Sequence, residues 1–127
     1  MLVKRLLQLN VLVSAMIALT FIALPEQSVS LYGSTTADAL HTVAQYFGAT
    51  HVAFAVLLWL ALRANDSRFL RAIVTSFFAG DLTGTVVLLL AQLRGSMGPL
   101  GWGLVALSLL FAAGYGYGVW KGLPDIN

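Results

Sequence analysis

The sequence predicts an all-α fold: a polytopic membrane protein whose four transmembrane helices pack as one bundle. Three observations predict it. The chain of 127 residues is 59% hydrophobic and 9% charged, with a mean hydropathy of +0.87. Soluble domains carry roughly 25% charged residues, and a chain this short leaves too much area exposed to hide so much apolar surface in a core. Four apolar runs each reach the about 20 residues that cross roughly 30 Å of hydrocarbon at 1.5 Å per residue. Finally, the basic residues gather at alternate ends of those runs.

The first run covers about 6–24 and is halted by Pro25; the second covers about 42–62 and ends at Arg63. The third, about 70–93, closes at Arg94-Gly95, and the fourth, about 100–120, at Lys121-Gly122 with Pro124 beyond. A transmembrane barrel needs segments of about 10 residues with alternating polarity, and these runs are unbroken and twice that length. Lys4 and Arg5 before the first run resemble the start of a signal peptide, but the run exceeds the usual apolar region and no small-x-small cleavage site precedes Pro25-Glu26. A retained helix is expected. The longest linker, Pro25 to His41, leaves no room for a soluble domain, so residues 1–127 are read as one four-helix domain.

Orientation follows from basic residues, which are retained on the cytoplasmic side. Lys4, Arg5, Arg63, Arg68, Arg71 and Lys121 share one side after even numbers of crossings, and only Arg94 lies opposite, where the first loop carries Glu26 and Asp38. Both termini are expected in the cytoplasm. Trp102 and Trp120 stand eighteen residues apart, about 27 Å of helix, which places one indole near each interface.

Chemistry, if any, lies in the polar minority inside the spans. Asp81 sits about halfway along the third run, within Phe77-Phe78-Ala79-Gly80-Asp81-Leu82-Thr83-Gly84-Thr85. A carboxylate at that depth costs several kcal/mol unless neutralised, hydrated or paired, which makes it a functional-site candidate. Thr85 and Gln92 follow at i+4 and i+11 on the same face, which is expected to point into the bundle. Two roles stay open for Asp81: a structural hydrogen-bond hub that fixes helix register, or a site that handles a proton or ligand.

Both histidines fall on the second run. His41, Gln45, Gly48 and His51 occupy a sector about 120° wide at 100° per residue, so one face of that helix is polar. The two imidazoles are ten residues apart, about 15 Å of rise, and cannot bind one metal from a continuous helix. No other run holds a histidine to complete a haem pair, and without cysteine there is no thiolate site, so neither metal nor cofactor is expected. His41 reads as an interfacial residue. His51 is expected to join a polar cluster at mid-depth with Asp81, the first run supplying Asn10 or Ser14, because buried polar groups in lipid gain most by meeting one another.

Small residues suggest how the bundle closes. Gly80 and Gly84 form a G-x-x-x-G, and Ala112 with Gly116 and Gly114 with Gly118 repeat the small-x-x-x-small pattern on the fourth run. Close helix contact is expected, within the chain or with another copy. The loop Arg63 to Arg71 reads as an orientation signal in which Asn65-Asp66-Ser67 supplies a turn and helix cap; its three Arg are fewer than the about four to eight basic residues of a polybasic lipid site. The outer loop, Pro25 to Asp38 with its Ser34-Thr35-Thr36 run, reads as a surface connector or a lid. Expected partners are membrane lipids and a membrane-protein partner or a second copy, not nucleic acid.

The order Leu31-Tyr32-Gly33, then Phe47-Gly48-Ala49 leading into Ala55-Val56-Leu57-Leu58-Trp59-Leu60-Ala61-Leu62-Arg63, then Phe69-Leu70-Arg71-Ala72 and Gly80-Asp81, resembles small uncharacterised four-helix integral membrane proteins of bacteria. The resemblance covers about residues 31–110 as a pattern of loops and helix starts. It implies a bundle in the bacterial inner membrane and carries over no active-site residue. Small multidrug transporters also have four short helices, but their central glutamate lies in the first, and this first run has no acidic residue. Four-helix quinone reductases that generate disulfides need cysteines.

Three function classes remain. The first is a non-catalytic membrane protein that packs or assembles with other proteins or lipids; the second is a small proton-coupled transporter using Asp81. The third is an intramembrane enzyme acting on a lipid or isoprenoid through Asp81 and His51. Hydrolytic triads, metal-ligand spacings and Gly-rich phosphate loops are missing from the sequence. The topology makes a direct prediction from the six-to-one basic asymmetry: reporter fusions at Ser30, Asp66, Ser96 and Asn127 read outside, inside, outside, inside. Any other order overturns it.

Overall fold

A computed structural model describes residues 2–31, 38–63 and 66–122, apart from the side chains of residues 38, 39, 41 and 42. It contains five helices: α1 (Leu2–Ala23), α2 (Pro25–Leu31), α3 (Asp38–Arg63), α4 (Ser67–Leu93) and α5 (Gly101–Lys121), with no strand among the described residues. Four of them, Leu2–Ala23, Val43–Arg63, Ser67–Leu93 and Gly101–Lys121, are long and apolar enough to cross a membrane. Only 17–28% of each such span is buried inside the protein, and the large apolar side chains left uncovered suit a lipid surround. Leu12, Met16, Leu19 and Leu93 are all exposed on that outer surface. The protein is a multi-pass four-helix bundle.

Helix ends follow local chemistry. Pro25 lacks the N–H that would continue α1 and its ring crowds the preceding turn. The same residue suits a first helical position, so the chain restarts at once as α2, which the sequence expectation of a plain loop does not include. The break is slight, because Leu24 N–H still donates to Thr20 O at 2.8 Å and Ser28 N–H to Leu24 O at 2.9 Å. Ser28 and Val29 are buried where α2 packs beside α3. Asp66 caps α4 by accepting from the N–H groups of Arg68 at 2.8 Å and Phe69 at 3.4 Å, an interaction worth about 1 kcal/mol. At the other end Gly95 takes a left-handed φ of 71° and donates to Gln92 O at 3.0 Å, satisfying a carbonyl of the last turn. The outer-loop residues 32–37, including the Ser34-Thr35-Thr36 run, and residues 64–65 lie outside the described residues.

Two close pairs make the bundle, α1 with α3 and α4 with α5; α1 meets α5, and α3 meets α4, over shorter stretches. The apolar core lies at one end. Val3, Leu6 and Leu7 of α1 meet Leu58 and Ala61 of α3, Leu70, Ile73 and Val74 of α4, and Phe111 and Tyr115 of α5. That is the end where Lys4, Arg5, Arg63, Arg68, Arg71 and Lys121 gather. Arg63 lays its guanidinium 3.9 Å from the Trp59 ring centroid, an arrangement suited to the edge of the hydrocarbon. Trp120, 84% exposed, stands at the same end.

Glycines divide into two kinds. A Cβ at Gly48 would lie 3.0 Å from Ile22 Cγ1 and Phe21 Cβ and 3.1 Å from the Ala18 carbonyl, so this glycine lets α3 approach the α1 backbone. Gly114 lies against the Leu6 side chain, Gly116 would place a Cβ 2.8 Å from the Phe78 ring, and Ala112 and Gly118 are buried. The small residues of α5 thus carry close contacts. Gly80 and Gly84 differ from the expectation of close helix contact within the chain: a Cβ on either would meet nothing within 4 Å beyond its own helix backbone and chain neighbours. No helix of the bundle closes on this G-x-x-x-G, because the helix pairs separate there and leave a cavity.

Alanine substitutions test this division. Gly48→Ala is expected to destabilise by about 1–3 kcal/mol through overpacking against backbone. Gly80→Ala and Gly84→Ala are expected to be neutral or stabilising by up to about 1 kcal/mol from helix propensity alone. Unfolding titrations in detergent, followed by circular dichroism, measure both; equal losses at all three positions would contradict the assignment.

Candidate functional site

Above the core the four long helices line a half-open cavity of about 530 Å³. Its walls come from residues 10–21 of α1, 47–57 of α3, 76–88 of α4 and 104–111 of α5, the middle of the bundle and the half away from the basic end. Gly80 and Gly84 border it, so the absence of two side chains contributes directly to its volume.

One wall is a continuous row of rings. Phe21 of α1 meets Phe47 of α3 edge-on at 5.2 Å, Phe47 meets His51 at 4.3 Å, and His51 meets Phe54 at 5.3 Å. Phe54 then contacts Phe77 of α4 at 5.5 Å, Phe77 contacts Tyr115 of α5 at 6.1 Å, and Tyr115 stacks with Phe111 at 6.0 Å. Helical spacing explains the row: positions 47, 51 and 54 are i, i+4 and i+7 on one face of α3, and 111 and 115 are i and i+4 on α5. Edge-to-face and offset pairs contribute about 0.5–1.5 kcal/mol each beyond their burial, so the wall is also a brace across all four long helices. Sequence reasoning missed this row, although Phe47-x-x-x-His51-x-x-Phe54 carries its signal.

Polar groups form two networks, one at the level where the cavity meets the core and one beside the cavity's middle. Asn10 Nδ2 donates to the Tyr115 hydroxyl at 3.0 Å, tying α1 to α5, and Ser14 Oγ donates to Asn10 Oδ1 at 3.1 Å. On the other pair Thr85 Oγ1 lies 2.7 Å from the Asp81 carbonyl oxygen and 2.9 Å from Ser108 Oγ, and Ser108 donates to Val105 O at 3.2 Å. These two networks, centred on Asn10 and Thr85, hold helices together. Asp81 is no such hub. Among the described residues its carboxylate makes no hydrogen bond, and the buried Oδ2 has no partner. It lies at mid-depth, fourteen residues along α4 from Ser67, or about 21 Å.

His51, Asp81, Asn10 and Ser14 all line this one cavity, and Thr85 is buried beside it. His51 and Asp81 share the space without bonding to each other. Through Nδ1 the imidazole binds the carbonyl of Phe47 on its own helix at 2.9 Å; since a carbonyl only accepts, Nδ1 carries a proton, and among the described residues Nε2 makes no hydrogen bond. Gln45 and Gln92 are elsewhere. Gln45 is exposed and donates to Ile22 O at 3.4 Å near the end of α1, and Gln92 donates to Gly98 O at 3.4 Å in the α4–α5 turn. A shared helical face does not mean a shared depth: eleven residues separate Asp81 from Gln92, about 16 Å of rise. Of His41 only the helical backbone is described. No group of three or more His, Asp or Glu placed to hold a metal ion occurs among the described residues.

Comparison with protein-family models, curated proteins and solved structures gives no match.

The division between network and bare carboxylate has measurable consequences. Asp81→Asn removes no protein hydrogen bond and replaces a costly buried acid by a neutral amide, so stability is expected to hold or rise. Tyr115→Phe is expected to lower it by about 0.6–2 kcal/mol, the range for interhelical hydrogen bonds in membranes, and Asn10→Ala to lower it further because Ser14 also loses its acceptor. Unfolding titrations of the three variants check the order; a larger loss for Asp81→Asn than for Tyr115→Phe would restore Asp81 as the hub.

Proposed function

We propose that the protein is a non-catalytic, multi-pass protein of the bacterial inner membrane, both termini cytoplasmic, whose bundle binds a lipophilic small molecule between its helix pairs. The carrying observation is the cavity. Its volume of about 530 Å³ falls within the roughly 300–1,000 Å³ of small-molecule sites, and its make-up is theirs too: mostly apolar and aromatic walls with a few convergent polar groups. A bundle serving only as a packing element would gain by filling this space, since close packing is what holds helices together in lipid. Instead two glycines on α4 keep it open. Assembly with a partner or a second copy would use the outer faces, where nothing distinguishes a protein neighbour from acyl chains.

Proton-coupled transport is a second reading, favoured by the unpartnered Asp81 carboxylate at mid-depth. It adds to binding the requirement that the cavity open to each side in turn. Catalysis by an Asp81 and His51 pair draws no support from the geometry, because the two do not bond and His51 Nδ1 is engaged by its own helix.

Photolabelling in lipid nanodiscs tests the binding reading. An uncharged aryl diazirine is expected to label Phe54, Phe77 or Phe111 saturably, and lipid-facing Leu12, Leu19 and Leu109 in simple proportion to its concentration. Gly84→Leu, which places a side chain into the cavity, is expected to abolish the saturable labelling and leave the lipid-facing labelling unchanged. Labelling of the cavity residues that never saturates would sink the proposal.

A further inference from the structure

Resting on that reading, we propose that the cavity's ligand is a lipophilic organic cation, a hydrophobic amine or onium, held by the Asp81 carboxylate and the ring faces of Phe54, Phe77 and Phe111. The inventory of hydrogen-bonding groups points there. Nearly every donor at the cavity is spent within the protein: Ser14 on Asn10, Ser76 on the Ala72 carbonyl at 2.9 Å, Ser108 on the Val105 carbonyl, and His51 Nδ1 on the Phe47 carbonyl. What remains unsatisfied is negative or accepting. Asp81 Oδ2 has no partner, His51 Nε2 accepts in the neutral ring, and aromatic faces carry the negative side of their quadrupoles. Among the described residues no Lys or Arg lines the cavity. The complement to such a surface is positive charge.

Size and polarity then choose among cations. A bare metal ion needs several oxygen ligands to replace its water, and this cavity offers one carboxylate, its serines and Asn10 being engaged in hydrogen bonds within the protein. An organic cation brings its own apolar surface, which the walls match, and spreads charge that ring faces attract. Room for such an ion lies beside the acid. Gly80 and Gly84 flank Asp81 at i−1 and i+3, and a Cβ at either would meet nothing within 4 Å beyond its own helix backbone and chain neighbours. Oδ2 itself is covered, so the cation seats beside α4 and a rotation of the Asp81 side chain brings the carboxylate to it.

Three probes of one shape and different charge make the test: tetraphenylphosphonium, tetraphenylmethane and tetraphenylborate. Each competes with the uncharged diazirine for the cavity of the intact protein in phosphatidylcholine nanodiscs, with concentrations expressed per lipid to remove differences in partitioning. The cation is expected to displace the label at least about tenfold more effectively than the neutral and anionic probes, tenfold being about 1.4 kcal/mol. Asp81→Asn is expected to erase that preference and Asp81→Glu to retain it. Retained saturable labelling by the diazirine shows that each variant is folded. Equal displacement by all three probes, or a cation preference that survives in Asp81→Asn, overturns the cation assignment and leaves the binding cavity standing. Absence of saturable labelling in the unmodified protein overturns both together.

Discussion

The hydrogen bond from Asn10 to the Tyr115 hydroxyl is the pin on which the bundle turns. In hydrocarbon, helices gain nothing from the hydrophobic effect by meeting one another, so their association rests on van der Waals packing and on the few polar contacts that cross between them. Here each close pair can satisfy itself, α1 on α3 through Gly48 and α4 on α5 through small residues and the Thr85–Ser108 contact. What joins pair to pair is less extensive, and the Asn10–Tyr115 bond lies at its inner limit. Below it the side chains close into a core that includes Leu7, Leu58 and Val74. Above it the pairs part and the cavity begins.

This division explains why similar sequence patterns end in different structures. Gly114 and Gly116 face Leu6 and Phe78, near the level of the core, and their missing side chains become contact. Gly80 and Gly84 lie farther from the pin, where no neighbour is close enough, and their missing side chains become space. A small-x-x-x-small spacing specifies a smooth face; the tertiary arrangement decides whether that face meets a helix or a void.

The four spans are legible in the sequence because length, hydropathy and the placing of Pro25, Arg63, Arg94 and Lys121 all bear on a single question, how far a helix can run in lipid. The short helix α2 is harder to read, since a proline that stops one helix equally well starts another. Asp81, His51, Asn10 and Ser14 stand out for the same reason as each other: each is polar where polarity is costly. Their relations do not stand out. Periodicity assigns residues to faces, and so groups Gln92 with Asp81, but which faces meet at which depth depends on crossings between helices far apart in the chain. The aromatic row is an intermediate case. Its i, i+4, i+7 segment on α3 is visible in the sequence, whereas the step from Phe54 to Phe77 requires the fold.

A bundle fastened near one end behaves mechanically as a pair of tongs. The tight contacts within α1–α3 and α4–α5 make each arm stiff, and the core at the basic end acts as the pivot, so small rotations there become larger changes of separation at the far ends of the arms. Whatever turned one arm at that pivot, a molecule lodged between the arms or a change in what surrounds them, would register as a change in the width of the gap, resisted by the aromatic contact between Phe54 and Phe77 that spans it.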